Sequence, residues 1–366
     1  PDGRWLRANE DVSLQLVKGK TLGLVGESGC GKSTFMRFLV ALDRPDSGQI
    51  LYRGQDITAL RGETLRQTRR HIQMVFQDPG ASFNPKMKVR DIVCEPLLNF
   101  GLIAPKEKAA VCRSLLEMVE LPGDFADRYP HSMSGGQRQR VAIARALALQ
   151  PEILILDEAT AALDVSVQKT IIELIVRLQR ERGLTIGFIC HDIALVQSVA
   201  HQVAVMYLGS VVEILPGENL RSEARHPYTR ALIDAVLDLD TDPRKPVTVI
   251  DSEPPSPLDI PAGCPFRDRC GQCFEKCARE KPEMRWLSKE HGVACHLFSA
   301  EGYDAVKRNE SLISGPIGSA LLAFAVPLML SSLVQQLYVT ADAVIVGRIA
   351  GKTALAAIDS VHTLFR

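Results

Sequence analysis

The stretch Gly26-Glu27-Ser28-Gly29-Cys30-Gly31-Lys32-Ser33-Thr34 constrains this chain more than any other, because it fits G-x-x-x-x-G-K-[ST] between a strand-like and a helix-like run. Residues 21–25 are short and apolar enough for a buried strand, and residues 35–40 read as a helix. A strand feeding a glycine loop that opens a helix makes a phosphate cradle. The glycines let backbone N–H groups converge on phosphate oxygens, and the helix N-terminus adds its partial positive charge. In such a cradle Lys32 reaches the terminal phosphates and the Ser33 hydroxyl ligates Mg²⁺.

A second element follows the same logic. Ile153-Leu154-Ile155-Leu156-Asp157-Glu158 is a branched apolar run that ends in two carboxylates. A buried strand that delivers Asp157 at its C-terminal end can hold Mg²⁺ beside a triphosphate, and Glu158 then lies within reach of an attacking water. Composition agrees with a cytoplasmic enzyme. Lys plus Arg and Asp plus Glu both number 43, so no basic excess points to nucleic acid. Hydrophobic residues make up 46% of 366, enough for a large core and two or three domains. The chain opens on Pro1, with no Met and no secretory signal, as expected of a piece of a longer reading frame or a trimmed chain.

Between and after these elements lie Gln77 in Val75-Phe76-Gln77-Asp78-Pro79, the segment Met133-Ser134-Gly135-Gly136-Gln137-Arg138, then Ala161-Ala162-Leu163-Asp164, and His191 at the end of an apolar run. In order and spacing they resemble the ATP-binding cassette (ABC) family: Walker A, Q-loop, signature, Walker B, D-loop and H-switch. Residues 77–96 and His226-Pro227-Tyr228-Thr229-Arg230 resemble, more narrowly, the ATPase subunits of bacterial dipeptide and oligopeptide importers. The resemblance covers residues 6 to about 300.

What it implies can be stated residue by residue. Residues Gly26 to Thr34 bind ATP, with Lys32 supplying charge, and Ser33, Asp157 and Gln77 serve the Mg²⁺. Glu158 is the general base, His191 the switch beside the γ-phosphate, and Gln77 the sensor that relays nucleotide state to the membrane subunits. Ser134, Gly135, Gly136 and Gln137 bind the γ-phosphate of a partner's nucleotide across a head-to-tail dimer, with Asp164 at that interface. Trp5 stands near the place of the adenine-stacking aromatic. Met133 for the usual Leu is a volume-conserving departure. Ala159 and Ala161 replace a frequent Pro and Ser at positions without chemistry.

The expected fold is α/β, a P-loop NTPase ABC core with a helical subdomain, a small Cys-rich C-terminal extension and a hydrophobic helical tail. Residues 1–225 form the ATPase domain, with the helical subdomain at about 91–147. Residues 226–300 form the extension, and 301–366 a membrane-type tail. Pro and Gly crowd 242–263 in a linker-like composition. Five cysteines then fall between 264 and 295, a clustering that in a cytoplasmic protein points to metal rather than disulfides. Their spacing resembles the importer extension, where Cys264, Cys270, Cys277 and Cys295 hold a [4Fe–4S] cluster and Cys273 is left over. Zinc and an empty thiol cluster stay open beside it.

The tail carries no charge from Ser311 to Ala341, long enough to span a bilayer at about 1.5 Å per residue. Lys307 and Arg308 precede it, as a cytoplasmic flank would. Its motifs resemble the start of a multidrug and toxic-compound extrusion transporter. Two explanations stand, a genuine fusion or two neighbouring genes joined in one frame. The function expected from the whole is an ATP-hydrolysing subunit, peripheral at the cytoplasmic face of a bacterial inner membrane. It energises import of di- and oligopeptides, or related solutes such as nickel. The partners implied are a second ATPase subunit, two membrane permeases and an extracytoplasmic peptide-binding protein. The alternatives are a non-transport ABC ATPase and an ABC ATPase fused to a drug antiporter.

Overall fold

A computed structural model describes residues 6–161, 163–235 and 255–299. Trp5, Ala162, the first part of the Pro/Gly-rich stretch and the tail expected to be membrane-type lie outside the described residues. Among the described residues, no helix is long and apolar enough to cross a membrane.

The sheet is built on β1 (Thr21–Val25), buried along its whole length. After a small hairpin, β2 (Leu51–Tyr52) with β3 (Gln55–Asp56), the chain returns to the main sheet. It adds β4 (Ile72–Val75), β5 (Ile153–Asp157), β6 (Thr185–Ile189), β7 (Gln202–Tyr207), β8 (Ser210–Pro216), β9 (Arg285–Trp286) and β10 (Gly292–Val293). The spatial order is β4-β5-β6-β1-β7-β8-β10-β9. Pairing is parallel from β4 through β7 and antiparallel beyond. Parallel strands need helical crossovers that cover both faces, which is why β1, β5 and β6 are continuous apolar runs rather than alternating ones. The β7–β8 hairpin turns through Leu208 and Gly209, both at positive φ (43° and 79°), the geometry that matches strand twist in a two-residue turn.

Three helices that pack on one another fall in or beside the stretch 91–147: Val89–Asn99, Lys108–Met118 and Gly135–Leu147. Ile92, Leu116 and Ile143 are fully buried where they meet. The stretch following β8 is tied to the sheet by a buried carboxylate. Glu213 on β8 is wholly inaccessible and accepts hydrogen bonds from the backbone N–H groups of Arg225 (2.7 Å) and His226 (3.0 Å). His291 Nε2 lies 2.9 Å from the same carboxylate, and β10, two residues on, pairs with β8. A buried carboxylate is tolerated only with such partners.

His226 caps the helix Pro227–Asp234 through Nδ1, which accepts the N–H of Tyr228 at 3.1 Å. Burial without a counter-charge pushes its pKa down to about 3. The unfolded chain therefore binds a proton on this residue at pH values where the folded one does not. Stability from the neutral imidazole is complete above about pH 6.5 and falls as pH drops towards 3. Replacing His226 by Asn, a cap that does not titrate, should move the acid-unfolding midpoint to lower pH, measured by circular dichroism. An unmoved midpoint would remove His226 from the acid response.

Candidate functional site

Parallel pairing sends the C-terminal ends of β1, β4, β5 and β6 to one edge of the sheet. Val75 pairs with Leu156, Asp157 with Ile189, and Ile189 with Leu24. The residues just past those ends are Gln77, Glu158, His191 and the loop opening at Gly26. Four segments far apart in sequence thus meet by register alone.

Within the loop, Gly26 has φ +149° and Gly31 φ +99°. A Cβ on Gly31 would stand 2.1 Å from the carbonyl oxygen of Ala8, so both the dihedral and the close approach of the backbone at Ala8 require glycine. Lys32 opens the helix Lys32–Leu39, is buried, and donates from Nζ to the carbonyls of Gly26 and Glu27, both at 2.8 Å. The ammonium is thereby held inside the loop, facing the space its backbone curls around. Ser33 Oγ donates to Asp157 Oδ1 at 3.0 Å. Burial pushes the Asp157 carboxyl up, with the charge of Glu158 adding to it, while the Ser33 hydrogen bond pulls the other way. A hydroxyl beside a buried carboxylate fits Mg²⁺, which takes few protein oxygens and shares the rest with phosphate and water. A divalent ion there would also relieve the cost of ionising Asp157.

Glu158 sits at positive φ (48°), fixed by its N–H to the carbonyl of Ile189 at 3.2 Å. Its carboxylate is in direct contact with His191 Nε2. Strain of this kind in a non-glycine residue is stored where surrounding structure holds the side chain for a purpose. Gln77 is exposed in the loop after β4.

Ser134, Gly135, Gly136 and Gln137 stand apart from this edge. Among the described residues, no hydrogen bond or ion pair links them to the phosphate loop. Ser134 caps the helix Gly135–Leu147 reciprocally: its Oγ accepts from Gln137 N–H at 3.3 Å, and Gln137 Oε1 accepts from Ser134 N–H at 3.0 Å. Asp164 precedes the helix Val165–Arg182, where Val165 is 82% exposed.

Two features escaped sequence reasoning. Tyr228 and Arg269, more than two hundred positions downstream, bond directly to Glu27 of the loop. Tyr228 lies in a recognisable segment, but nothing in its spacing reveals its partner. Ala8 and Asn9 also lie over the loop, Asn9 Nδ2 donating to the Gly31 carbonyl at 3.2 Å. A cavity of about 350 Å³ lies elsewhere, beside Lys20, Thr21 and His201 at the opposite strand ends, and carries none of the phosphate-binding groups.

The cysteines do not form a ready ligand set. Among the described residues, no three His, Cys, Asp or Glu side chains are gathered as a metal-holding group. Cys264 N–H donates to the Cys277 carbonyl at 2.8 Å, which brings two of the expected four together through backbone. Burial pushes the Cys264 thiol up to about 11. Cys273, the residue left over by the spacing, donates its N–H to the Cys270 carbonyl at 3.1 Å. Among the described residues this arrangement gives no support to a [4Fe–4S] cluster on Cys264, Cys270, Cys277 and Cys295.

Comparison with known proteins converges on one reading of this edge. Residues 9–161 match the family model described as ABC transporter, and residues 212–277 match that of the oligopeptide/dipeptide transporter C-terminal region. A probable peptide ABC transporter ATP-binding protein of Sinorhizobium fredii is 46% identical over 292 residues, 80% of this chain and 83% of that one. A di/tripeptide transport ATP-binding protein of Pseudomonas aeruginosa is 45% identical over 291 residues, covering 80% and 90%. An ATP-binding cassette solved as a dimer in a post-hydrolysis state with ADP and Pi superimposes with TM-score 0.52 at 31% identity, covering 57% of this chain and 90% of that chain.

The signature glycines also have a packing role. A Cβ on Gly136 would stand 2.5 Å from Val167 Cγ1 on the helix after Asp164. Valine is stiff at χ1 and cannot swing clear. Gly136→Ala should cost about 1–3 kcal/mol in denaturant unfolding, and Val167→Ala in the same chain should return most of it. Equal stability of Gly136→Ala and wild type would show that the two helix starts yield freely.

Proposed function

The chain belongs to the ABC transporter family, among its peptide-transport ATP-binding proteins, and from that premise we propose how its residues divide the work. It is an ATPase subunit of a peptide importer. The observation that carries the assignment of roles is the single strand edge where Lys32, Ser33 with Asp157, and Glu158 with His191 converge. Phosphoryl transfer asks mainly for positioning and charge neutralisation. Lys32 and the loop amides take the β- and γ-phosphates, and Ser33 and Asp157 hold Mg²⁺, with Gln77 approaching it from the next loop. Glu158 accepts a proton from the attacking water as its oxygen bonds to the γ-phosphorus and the bond to the ADP oxygen breaks. His191 holds the Glu158 carboxylate in place and faces the same phosphate.

The exposed N-terminus of the signature helix, unlinked to this chain's own loop, supports a head-to-tail pair. Ser134 to Gln137 of one subunit then complete the site of the other, and Asp164 with exposed Val165 lies at the join. Two membrane permeases and an extracytoplasmic peptide-binding protein complete the assembly, with this subunit peripheral at the cytoplasmic face. The transported solutes are di- or oligopeptides, or related solutes such as nickel.

Glu158→Gln should lower ATP hydrolysis by about 10²- to 10⁴-fold and leave MgATP binding intact, because the metal and phosphate ligands remain. Lys32→Ala should instead lose nucleotide binding. Wild-type turnover in Glu158→Gln would end its role as base. The finer reading of the cysteines has only their spacing as support, and no step above runs through a cluster. It expects iron, acid-labile sulfide and visible charge-transfer absorbance in protein purified without oxygen. Colourless protein with every thiol titratable would dismiss it.

A further inference from the structure

Glu27, the second residue of the phosphate loop, is held from three directions. Its carbonyl accepts the Lys32 ammonium at 2.8 Å, and its N–H donates to the Tyr228 hydroxyl at 2.9 Å. Its carboxylate takes a two-pronged bond from Arg269, Nη1 at 2.7 Å and Nη2 at 2.8 Å. Arg269 comes from the C-terminal extension, 242 positions away. Its side chain is 5% exposed against 26% for Glu27. The guanidinium lies 5.7 Å over the ring of Tyr207, which packs at 4.7 Å on Tyr228 and 5.2 Å on Phe266. Arg269 is thus stacked, desolvated and aimed; among the described residues Glu27 is the carboxylate ion-paired with it.

We propose that Arg269 and Tyr228 are positioning residues of the ATP site, so that nucleotide affinity is set in part by the C-terminal extension. The proposal rests on the reading of residues 26–34 as the phosphate loop. The physical need is specific. A carboxylate in a loop that must receive a triphosphate repels its ligand unless it is neutralised, and at partial burial that repulsion is poorly screened. A bidentate guanidinium both cancels the charge and fixes the direction of the carboxylate. Tyr228 occupies the Glu27 N–H and so holds that peptide in the orientation that offers its carbonyl to Lys32. Neither residue touches a reacting atom, so the effect falls on binding rather than on the chemical step.

The test measures MgATP affinity by calorimetry and steady-state hydrolysis in the full 366-residue chain. Arg269→Gln should weaken affinity by about tenfold, raising KM while kcat stays within about twofold. Adding Glu27→Gln removes the uncancelled carboxylate and should restore affinity to within about threefold of wild type, the rescue that a merely structural role would not give. Tyr228→Phe keeps the ring and loses one oxygen, and should weaken affinity by a few-fold. It carries the test should the Arg269 variants not fold. Lys32→Ala is the control for the loop itself. If Lys32→Ala binds MgATP like wild type, the phosphate-loop reading fails. If it loses binding while Arg269→Gln or Tyr228→Phe keeps wild-type affinity, or if the double variant stays as weak as Arg269→Gln, the inference alone is overturned.

Discussion

The parallel ladder β4-β5-β6-β1 is the constraint on which the rest of the molecule depends. Parallel pairing forces every one of these strands to end at the same edge, and register then decides which residues emerge side by side. Asp157 lies opposite Ile189, so Glu158 and His191 cannot avoid each other. Leu24 lies opposite Ile189 on the other flank, so the loop that follows β1 opens beside them. A slip of one residue in β5 would turn Asp157 to the other face of the sheet and break its hydrogen bond with Ser33.

Charge is handled at that edge by pairing. Lys32 has two carbonyls, Asp157 a hydroxyl and half-buried Glu27 a guanidinium, while Glu213 on β8 has two amides and an imidazole. Removing one member of such a set leaves the other desolvated and uncompensated, which costs more than the pair contributes. The two carboxylates that serve neither metal nor water, Glu27 and Glu213, both bind the stretch that follows β8. That stretch adds β10 and β9 to the sheet and sends Arg269 and Tyr228 to the phosphate loop. The edge that handles phosphate is therefore supported from a segment with no nucleotide-binding motif of its own.

Motifs whose function lies in local backbone geometry were legible in the residues. The turns of the loop at 26–34 rest on its own glycines and the helix it opens, so that part of its shape follows from adjacent positions. Continuous apolar runs at 21–25 and 153–156 declare buried parallel strands, because alternation is absent where both faces are covered. The capping box of Ser134 and Gln137 is likewise a relation over three residues. The family likeness gave Glu158 and His191 separate roles, but their contact was not legible, since no local rule joins positions 158 and 191.

Only the tertiary structure decided what holds Glu27. Its side-chain partners come from positions 32, 228 and 269, and two of those contacts span 201 and 242 positions of the chain. The same is true of Glu213 with His291, and of Gly136, whose packing against Val167 is invisible in a motif that reads as phosphate-binding. For the cysteines, family resemblance suggested a ligand set, and only the structure shows the backbone hydrogen bonds that join Cys264 to Cys277 and Cys273 to Cys270. The physical reason is common to all of these. Periodicity and turn chemistry act over a few residues and are written in the chain, whereas a carboxylate's partner is chosen by whichever strand order brings a donor within about 3 Å.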